Sequence, residues 1–362
     1  MTFSDRDRLF MTRAIRLARK GLYTATPNPR VGAVIVKGAE IVGEGWHERA
    51  GEPHAEIHAL KQAGESARGA TLYVTLEPCS HYGRTPPCAE AVVASGISRV
   101  VVAMKDPNPL VSGRGIERLE QAGISVECGL LQNEAFELNP GFVMRMNTGR
   151  PWVRVKVASS LDGKTALSNG ISQWITGPAA RRDGHRYRAR SCAILTGIGT
   201  VLADDPALTA RDVGTSRQPP VFVLDSRLRI STQAKIFDGK LTIVSALENR
   251  EKREELEAAG AEVIHVPGEG VRVDLHLLMK ELGRRGVNEL HVEAGESLNG
   301  SLLEAGLVDE IVFYIAPHLM GSRGKGMFDL PALIDMDKRR EMKMLDFRMV
   351  GRDLRIIGRP HV

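Results

Sequence analysis

His54, Glu56, Cys79 and Cys88 are the residues whose types and spacing point most directly to chemistry. One imidazole and two thiolates can fill three corners of a zinc tetrahedron and leave the fourth to water. Glu56 stands two residues beyond His54, close enough to sit beside that water without binding the metal. A carboxylate placed there can take a proton from an attacking water and hand it to a leaving group. A lone cysteine is most often a small core hydrophobe. Three ligand-type residues with a glutamate at this spacing are a different case. A structural zinc site would be closed by a fourth protein ligand, and the open corner beside Glu56 argues against one. His58 lies one turn from His54, so the two share a helix face. The zincin order needs Glu beside the first His, whereas the order here is His54-Ala55-Glu56-Ile57-His58. His58 is therefore read as packed or solvated.

These residues need a scaffold, and the first half of the chain supplies alternating elements. Ser4 reads as an N-cap, with Asp5 and Asp7 in the first turn of a packing helix that stops at Gly21. Thr26 to Val36 reads as a rigid turn running into a buried strand, with Ile41 to Gly45 as its hairpin partner. A helix opens at His54. The run from Thr71 to Leu76 is a strand ended by Glu77-Pro78, and Pro87 fits the first position of a helix that continues from Cys88 to Val93. Helix starts at His54 and Cys88 place the dipole where it favours thiolate. Arg99 to Met104 and Ser125 to Cys128 are further strands, with Cys128 expected to be a buried structural thiol. Gly113-Arg114-Gly115 opens a helix without the third glycine of a dinucleotide fingerprint. The alternation predicts a layered α/β domain.

Asn147 to Pro151 is the best linker, polar with Gly and Pro, which divides the chain into domains at 1–147 and 148–362. Beyond it, Trp152 to Ala158 is a strand followed by a turn, and Ser172 to Gly177 leads into a helix carrying Arg181, Arg182, Arg186, Arg188 and Arg190. Such a basic run is usually a solvated face. Ala193 to Thr200 is a buried strand breaking into a glycine turn, where Gly197 and Gly199 permit close backbone approach. The series lacks a third glycine at Leu202. A strand ending at Glu293, a turn at Gly295 and a helix from about Ser297 form a second such corner, whose free amides suit an anion. Cys192 reads as core. Strands near Val221, Leu241, Glu262, Asp309 to Pro317 and Lys343 to Ile357 complete the sheet.

The chain has 362 residues, 43% hydrophobic and 26% charged, with a net charge of +5. That is ordinary for a soluble protein of two domains. The charge is too weak to argue for nucleic acid and suits anionic small molecules. No apolar run reaches membrane length, and the charged N-terminus lacks a signal-peptide core. Four cysteines in so long a chain make no disulfide framework, so a reducing cytoplasm is expected.

The order His-x-Glu followed by Pro-Cys is shared with zinc nucleobase deaminases, in which two residues separate the cysteines. Here eight do, ending Thr85-Pro86-Pro87-Cys88. With Pro27-Asn28-Pro29 to Ala33 and with Val153 to Lys164, this longer gap resembles the bifunctional riboflavin-biosynthesis deaminase/reductase family, over nearly the whole chain. The resemblance implies a cytidine-deaminase-like three-layer α/β/α domain followed by a dihydrofolate-reductase-like α/β domain. It implies zinc-dependent deamination of 2,5-diamino-6-ribosylamino-4(3H)-pyrimidinone 5′-phosphate, then NADPH-dependent reduction of the ribosyl group to ribityl. It makes Glu56 the proton shuttle and Asn28 and His47 substrate contacts of the first site. In the second it assigns Ala158, Trp174, Thr200, Asp204 and Ser226 to NADPH. The cofactor's phosphates fall to Gly295, Glu296, Ser297, Leu298, Asn299, Gly300 and Ser301. Ser172, Arg188, Leu208, Arg211 and Glu293 would surround the substrate, the two arginines reading its phosphate. A homo-oligomer acting on a small molecule, without nucleic acid or membrane, is the expected form. The alternative is a zinc nucleoside or tRNA deaminase with a non-catalytic second domain; two-residue cysteine spacing would have favoured it.

Overall fold

The computed structural model describes residues 3–80 and 87–361 and divides into two compact units, 1–149 and 150–362. The stretch 81–86, in the middle of the cysteine-bearing motif, lies outside the described residues. In the first unit the elements run α1 (Asp5–Ala18), β1 (Gly32–Lys37), β2 (Glu40–Trp46), α2 (Ala55–Ala63), β3 (Thr71–Val74) and α3 (Cys88–Ala94). They continue through β4 (Arg99–Val102), α4 (Arg114–Gln121), β5 (Ser125–Cys128), α5 (Gln132–Leu138) and α6 (Pro140–Thr148). The sheet order is β2-β1-β3-β4-β5, antiparallel around β1 and parallel from β3 to β5.

Strand alternation sends the two faces into separate cores. Val34, Val36, Tyr73 and Val101 meet α1, α5 and α6, whereas Ala33, Ile35, Leu72, Val74, Val100 and Val102 meet α2, α3 and α4. The result is three layers, α/β/α. Helix α2 sits unusually close to the sheet, because Ala55, Ala59 and Ala63 face Gly43 and Gly45. A Cβ on either glycine would come within 2.2 Å of a helix carbonyl, Ala59 O or Ala55 O. That close seat fixes the height of His54 and Glu56 above the strands.

Helix α1 is tied down at its start. Ser4 caps it with a reciprocal bond to Asp7, and the buried Asp7 carboxylate also accepts from Tyr73 Oη (2.8 Å) and Arg99 Nη1 (2.7 Å). Two details differ from expectation. Pro87 is the N-cap of α3 rather than its first residue. Cys128 is exposed, because β5 is the edge strand.

The second unit contains β6 (Trp152–Ser160), α7 (Pro178–Arg190), β7 (Ala193–Gly197), α8 (Ile198–Asp204), β8 (Val221–Leu224), β9 (Leu241–Ser245), α9 (Arg250–Ala258) and β10 (Glu262–His265). It ends with α10 (Leu275–Arg284), β11 (Glu289–Val292), α11 (Glu296–Glu304), β12 (Glu310–Ala316), β13 (Met342–Val350) and β14 (Asp353–Pro360). The sheet order among the described residues is β10-β9-β8-β7-β11-β6-β12-β14-β13, parallel from β10 to β12 and antiparallel in the last hairpin. One face packs on α10 and α11, the other on α7, α8 and α9. The glycine turn expected after β7 is instead a helix: Gly197 caps α8, which carries Gly199 and Thr200.

Chain order reverses in the middle of this sheet. From β7 the chain steps outward to β10, then returns to lay β11 between β7 and β6. Ligands of parallel α/β sheets bind in the crevice outside the strand C-termini at such a point. No helix among the described residues is long and apolar enough to cross a membrane.

Candidate active sites

In the first unit the expected ligands converge. His54 is the N-cap of α2, Cys79 follows β3, and Cys88 opens α3. His54 Nδ1 lies 3.2 Å from Cys88 Sγ and 3.6 Å from Cys79 Sγ, and the three ligand atoms lie within 4.8 Å of one another. Bonds of about 2.0 Å to nitrogen and 2.3 Å to sulfur give tetrahedral edges of roughly 3.5 Å, so these residues fit one zinc ion. The Cys88 backbone N–H also donates to Cys79 Sγ (3.2 Å).

The electrostatics are those of thiols sharing a confined space. Cys79, hydrogen-bonded by Cys88 and His54, has its pKa brought down to about 4, while the same interaction and burial push Cys88 up. A bound dication would hold both as thiolates. His54 is raised, chiefly by its bond to Cys79. Glu56 is 4% exposed, and burial raises its pKa to about 7. A carboxyl balanced near neutrality is suited to accept and return a proton.

His47 packs edge-on against His54, with ring centroids 5.2 Å apart. Its Nδ1 is 3.2 Å from the Pro53 carbonyl, which assigns the proton to Nδ1 and leaves Nε2 to accept from Asn28 Nδ2 at 3.0 Å. Burial lowers its pKa and keeps it neutral. Asn28 and His47 therefore form one wall beside the ligand cluster. His58 is not part of that cluster.

Two acidic residues here escaped the sequence reading. The buried Glu77 carboxylate accepts from the backbone N–H groups of Asp106, Gly113, Gly115 and Ile116, at 2.9–3.3 Å. It caps α4 and holds the backbone immediately before Cys79. Gly115 is required there: a Cβ would lie 2.0 Å from Pro78 O. Asp106 is buried too, and burial raises it to about 6. No local spacing announces the role of Glu77, since its partners lie between 29 and 39 residues further along the chain.

The second unit has a cleft of 1310 Å³ along the C-terminal ends of its parallel strands. Ala158, Ser172, Trp174, Arg188, Thr200, Asp204, Leu208, Arg211 and Glu293 all line it, as do Gly295, Glu296, Ser297, Leu298 and Ser301. The N-termini of α8 and α11 open towards it from adjacent strands. Neither helix has a side-chain cap, so their first N–H groups are available to an anion. A Cβ at Gly295 would meet nothing within 4 Å, so the backbone there faces open space that a ligand could fill. Ser172 Oγ donates to Asp204 Oδ1 (2.8 Å) across the cleft, and the Trp174 ring stacks on Arg181.

Three expected cofactor residues do not line the cleft. Asn299 is 1% exposed and donates to Ala294 O and Met327 O. Gly300 is pressed against the Asp329 backbone, 2.0 Å from where its Cβ would be. Both lie on the packed side of α11 and hold the following loop. Ser226 uses its carbonyl to accept from Ala246 and Leu247.

The substrate-side residues are already paired. Glu293 makes a bidentate ion pair with Arg188, and Lys156 Nζ lies 3.8 Å away. Burial would raise the Glu293 pKa, but Arg188, Lys156 and His291 outweigh it and hold the carboxylate ionised. His291 Nε2 is 3.2 Å from Glu293 Oε1 without hydrogen-bond alignment. Arg188 also donates to Thr209 O, which leaves Arg211 as the more available cation. Lys156, unassigned from sequence, has its pKa lowered by burial. Strict alternation in Val153-Arg154-Val155-Lys156-Val157 was the signal that could have placed it off the core face.

Family comparisons cover both units. Residues 4–104 match the cytidine and deoxycytidylate deaminase zinc-binding region, and residues 151–356 match the RibD C-terminal domain. Riboflavin biosynthesis protein RibD of Escherichia coli is 50% identical, over 97% of this chain and 99% of that protein. Its Haemophilus influenzae counterpart is 46% identical over 99% of both. The Acinetobacter baumannii RibD structure (form 1) superposes with a TM-score of 0.92, 44% identity and 99% coverage of each chain. A Thermotoga maritima diaminohydroxyphosphoribosylaminopyrimidine deaminase/5-amino-6-(5-phosphoribosylamino)uracil reductase gives 0.87 and 33% identity, covering 98% of this chain and 99% of that one. With a deaminase unit and a reductase unit in one polypeptide, the chain belongs to the RibD family of bifunctional riboflavin-biosynthesis enzymes.

Proposed function

We propose that the first unit deaminates 2,5-diamino-6-ribosylamino-4(3H)-pyrimidinone 5′-phosphate and that the second reduces the product with NADPH. The observation that carries the first half is the convergence of His54, Cys79 and Cys88 beside a buried Glu56. His54, Cys79 and Cys88 would hold zinc, which when bound lowers the pKa of water towards neutrality. Glu56 takes the proton of the water that adds to the amino-bearing ring carbon. It returns that proton to the nitrogen, so that ammonia leaves and a carbonyl remains. Asn28 and His47, fixed in one tautomer by Pro53 O, orient the ring.

In the second unit the cofactor would lie along the strand C-termini, its pyrophosphate at the N-terminus of α11 and its nicotinamide near Ala158 and Trp174. Hydride transfer needs the nicotinamide held against the sugar carbon, and no protein nucleophile. Glu293, fixed by Arg188 and Lys156, faces the sugar, and Arg211 takes the phosphate. The enzyme acts as a cytoplasmic homo-oligomer. Ammonia release and NADPH oxidation, measured with the pyrimidine phosphate, cytidine and an adenosine-containing tRNA, test the reading. Both signals are expected with the pyrimidine phosphate alone. Ammonia from cytidine or tRNA without NADPH turnover would replace this reading with a nucleoside or tRNA deaminase.

A further inference from the structure

The reductase cleft extends past the residues assigned above, and its far end is basic. Arg229 and Arg272 line it there, and both are exposed. Among the described residues neither side chain has an ion-pair partner, whereas the nearby Lys235 is paired with Asp205 at 3.2 Å. Resting on the NADPH reading, we propose that Arg229, assisted by Arg272, binds the 2′-phosphate of the cofactor's adenosine and sets the preference for NADPH over NADH.

Sheet order supplies the direction. Glu293 follows β11, Lys156 lies within β6 and Ser172 on the segment after it, all lining the cleft, which places the sugar and the nicotinamide at that point of the edge. Arg229 follows β8 and Arg272 follows β10, two and four strands from β11 on the other side of β7. At about 4.8 Å per strand those loops begin roughly 10 and 19 Å away along the edge. A dinucleotide with its pyrophosphate at α11 therefore carries its adenosine towards the two arginines. In parallel α/β folds an arginine beyond a strand end accommodates a 2′-phosphate, and an available acid reads a 2′-hydroxyl instead.

The loop after β8 is built to present Arg229. Asp225 is fully buried, and its Oδ2 accepts from Ile230 N–H at 2.8 Å while its carbonyl accepts from Leu228 N–H. Its Oδ1 is buried without a hydrogen-bond partner, so burial of the whole carboxylate, not saturation, keeps it from a ribose hydroxyl. Leu228 and Ile230 are buried in the core on either side of Arg229. They anchor the backbone of the turn on either side of Arg229, so the turn presents that side chain at the cleft. Arg272 sits in a tight turn closed by the Pro267–Val273 bridge and the Gly268 N–H to Arg272 O bond (2.9 Å).

Calorimetric titration of the full chain with NADP⁺ and NAD⁺ tests the assignment. Wild type should bind NADP⁺ the more tightly. Each charge-assisted phosphate contact carries on the order of a tenfold effect, so Arg229→Ala should weaken NADP⁺ by about that factor and leave NAD⁺ unchanged. Arg229→Ala/Arg272→Ala should bring the two constants together. An unaltered NADP⁺ to NAD⁺ ratio in the double variant, or an equal loss with both nucleotides, overturns the assignment. So does a higher KM for the ribosyl phosphate substrate with both nucleotide constants intact. Wild type binding neither nucleotide would instead remove the cofactor reading itself.

Discussion

The two sites solve opposite problems with opposite materials. The deaminase site concentrates its chemistry in four side chains: three converge to within 4.8 Å and the fourth is Glu56, driven to a pKa of about 7. The reductase cleft spreads over 1310 Å³ and relies on helix N-termini, glycine backbone and paired charges. A hydrolytic step needs a base of tuned pKa at the reacting atom. Hydride transfer draws its reactivity from the cofactor and needs position above all. One site should therefore fail abruptly when a single group is lost, and the other should degrade by degrees.

Glu56→Gln should produce the largest effect. It keeps the shape and removes the base, so deamination should fall by about 10²–10⁴-fold while zinc content holds. Reduction of already deaminated substrate should be unchanged. A variant that deaminates at the wild-type rate would remove Glu56 from the mechanism.

Paired substitutions in the cleft should give a smaller, divided effect. Arg211→Ala should raise the KM for substrate and spare NADPH affinity, because a remote phosphate contact supplies positioning energy. Gly295→Val should weaken NADPH and spare substrate. The added side chain finds open space in the free protein but occupies the cofactor's approach to the α11 amides. Measuring both constants for both variants decides the division of the cleft; a reversed pattern means its two halves have been exchanged.

The smallest expected effect lies outside both sites. Burial opposes the Asp7 charge, but bonds from Arg99, Ser4 and Tyr73 outweigh it and hold the carboxyl well below its ordinary value of 3.8. Its folded pKa is depressed, so its stabilisation is fully present above that value and lost as pH falls through and below it. Asp7→Asn should cost about 1–3 kcal/mol at pH 7. Thermal unfolding from pH 7 to pH 3 should show the gap between wild type and variant closing as pH falls. A gap that widens with acid would contradict the sign.

The same contrast explains what could be read without coordinates. His54, Glu56, Cys79 and Cys88 were legible because ligand chemistry restricts residue type and the spacing is local. The α/β alternation and the strand-to-helix corner at Gly295 were legible from apolar runs and glycines, whereas the turn expected at Gly197 is the start of α8. Glu77 was not, because one of its N–H partners comes from the turn at Asp106 and three from the distant start of α4. The close seat of α2 on Gly43 and Gly45 was equally silent, since it depends on which strand a helix crosses. Which face of α11 Asn299 and Gly300 occupy was also silent, because one face of a helix cannot be told from the other by position in a motif. Their packing against the loop at Met327 and Asp329 shows which face is which. Cys128 failed as a core residue because strand order alone reveals an edge.

Removal of the metal tests the independence of the two sites most directly. The full chain is treated with a zinc chelator, and each half-reaction is assayed with its own substrate before and after zinc is restored. Deamination should disappear and return with about one zinc per chain, while NADPH-dependent reduction of the deaminated substrate continues at its original rate throughout. Deamination that survives chelation, or reduction that falls and recovers with the metal, would contradict a zinc-centred hydrolase joined to a metal-independent reductase.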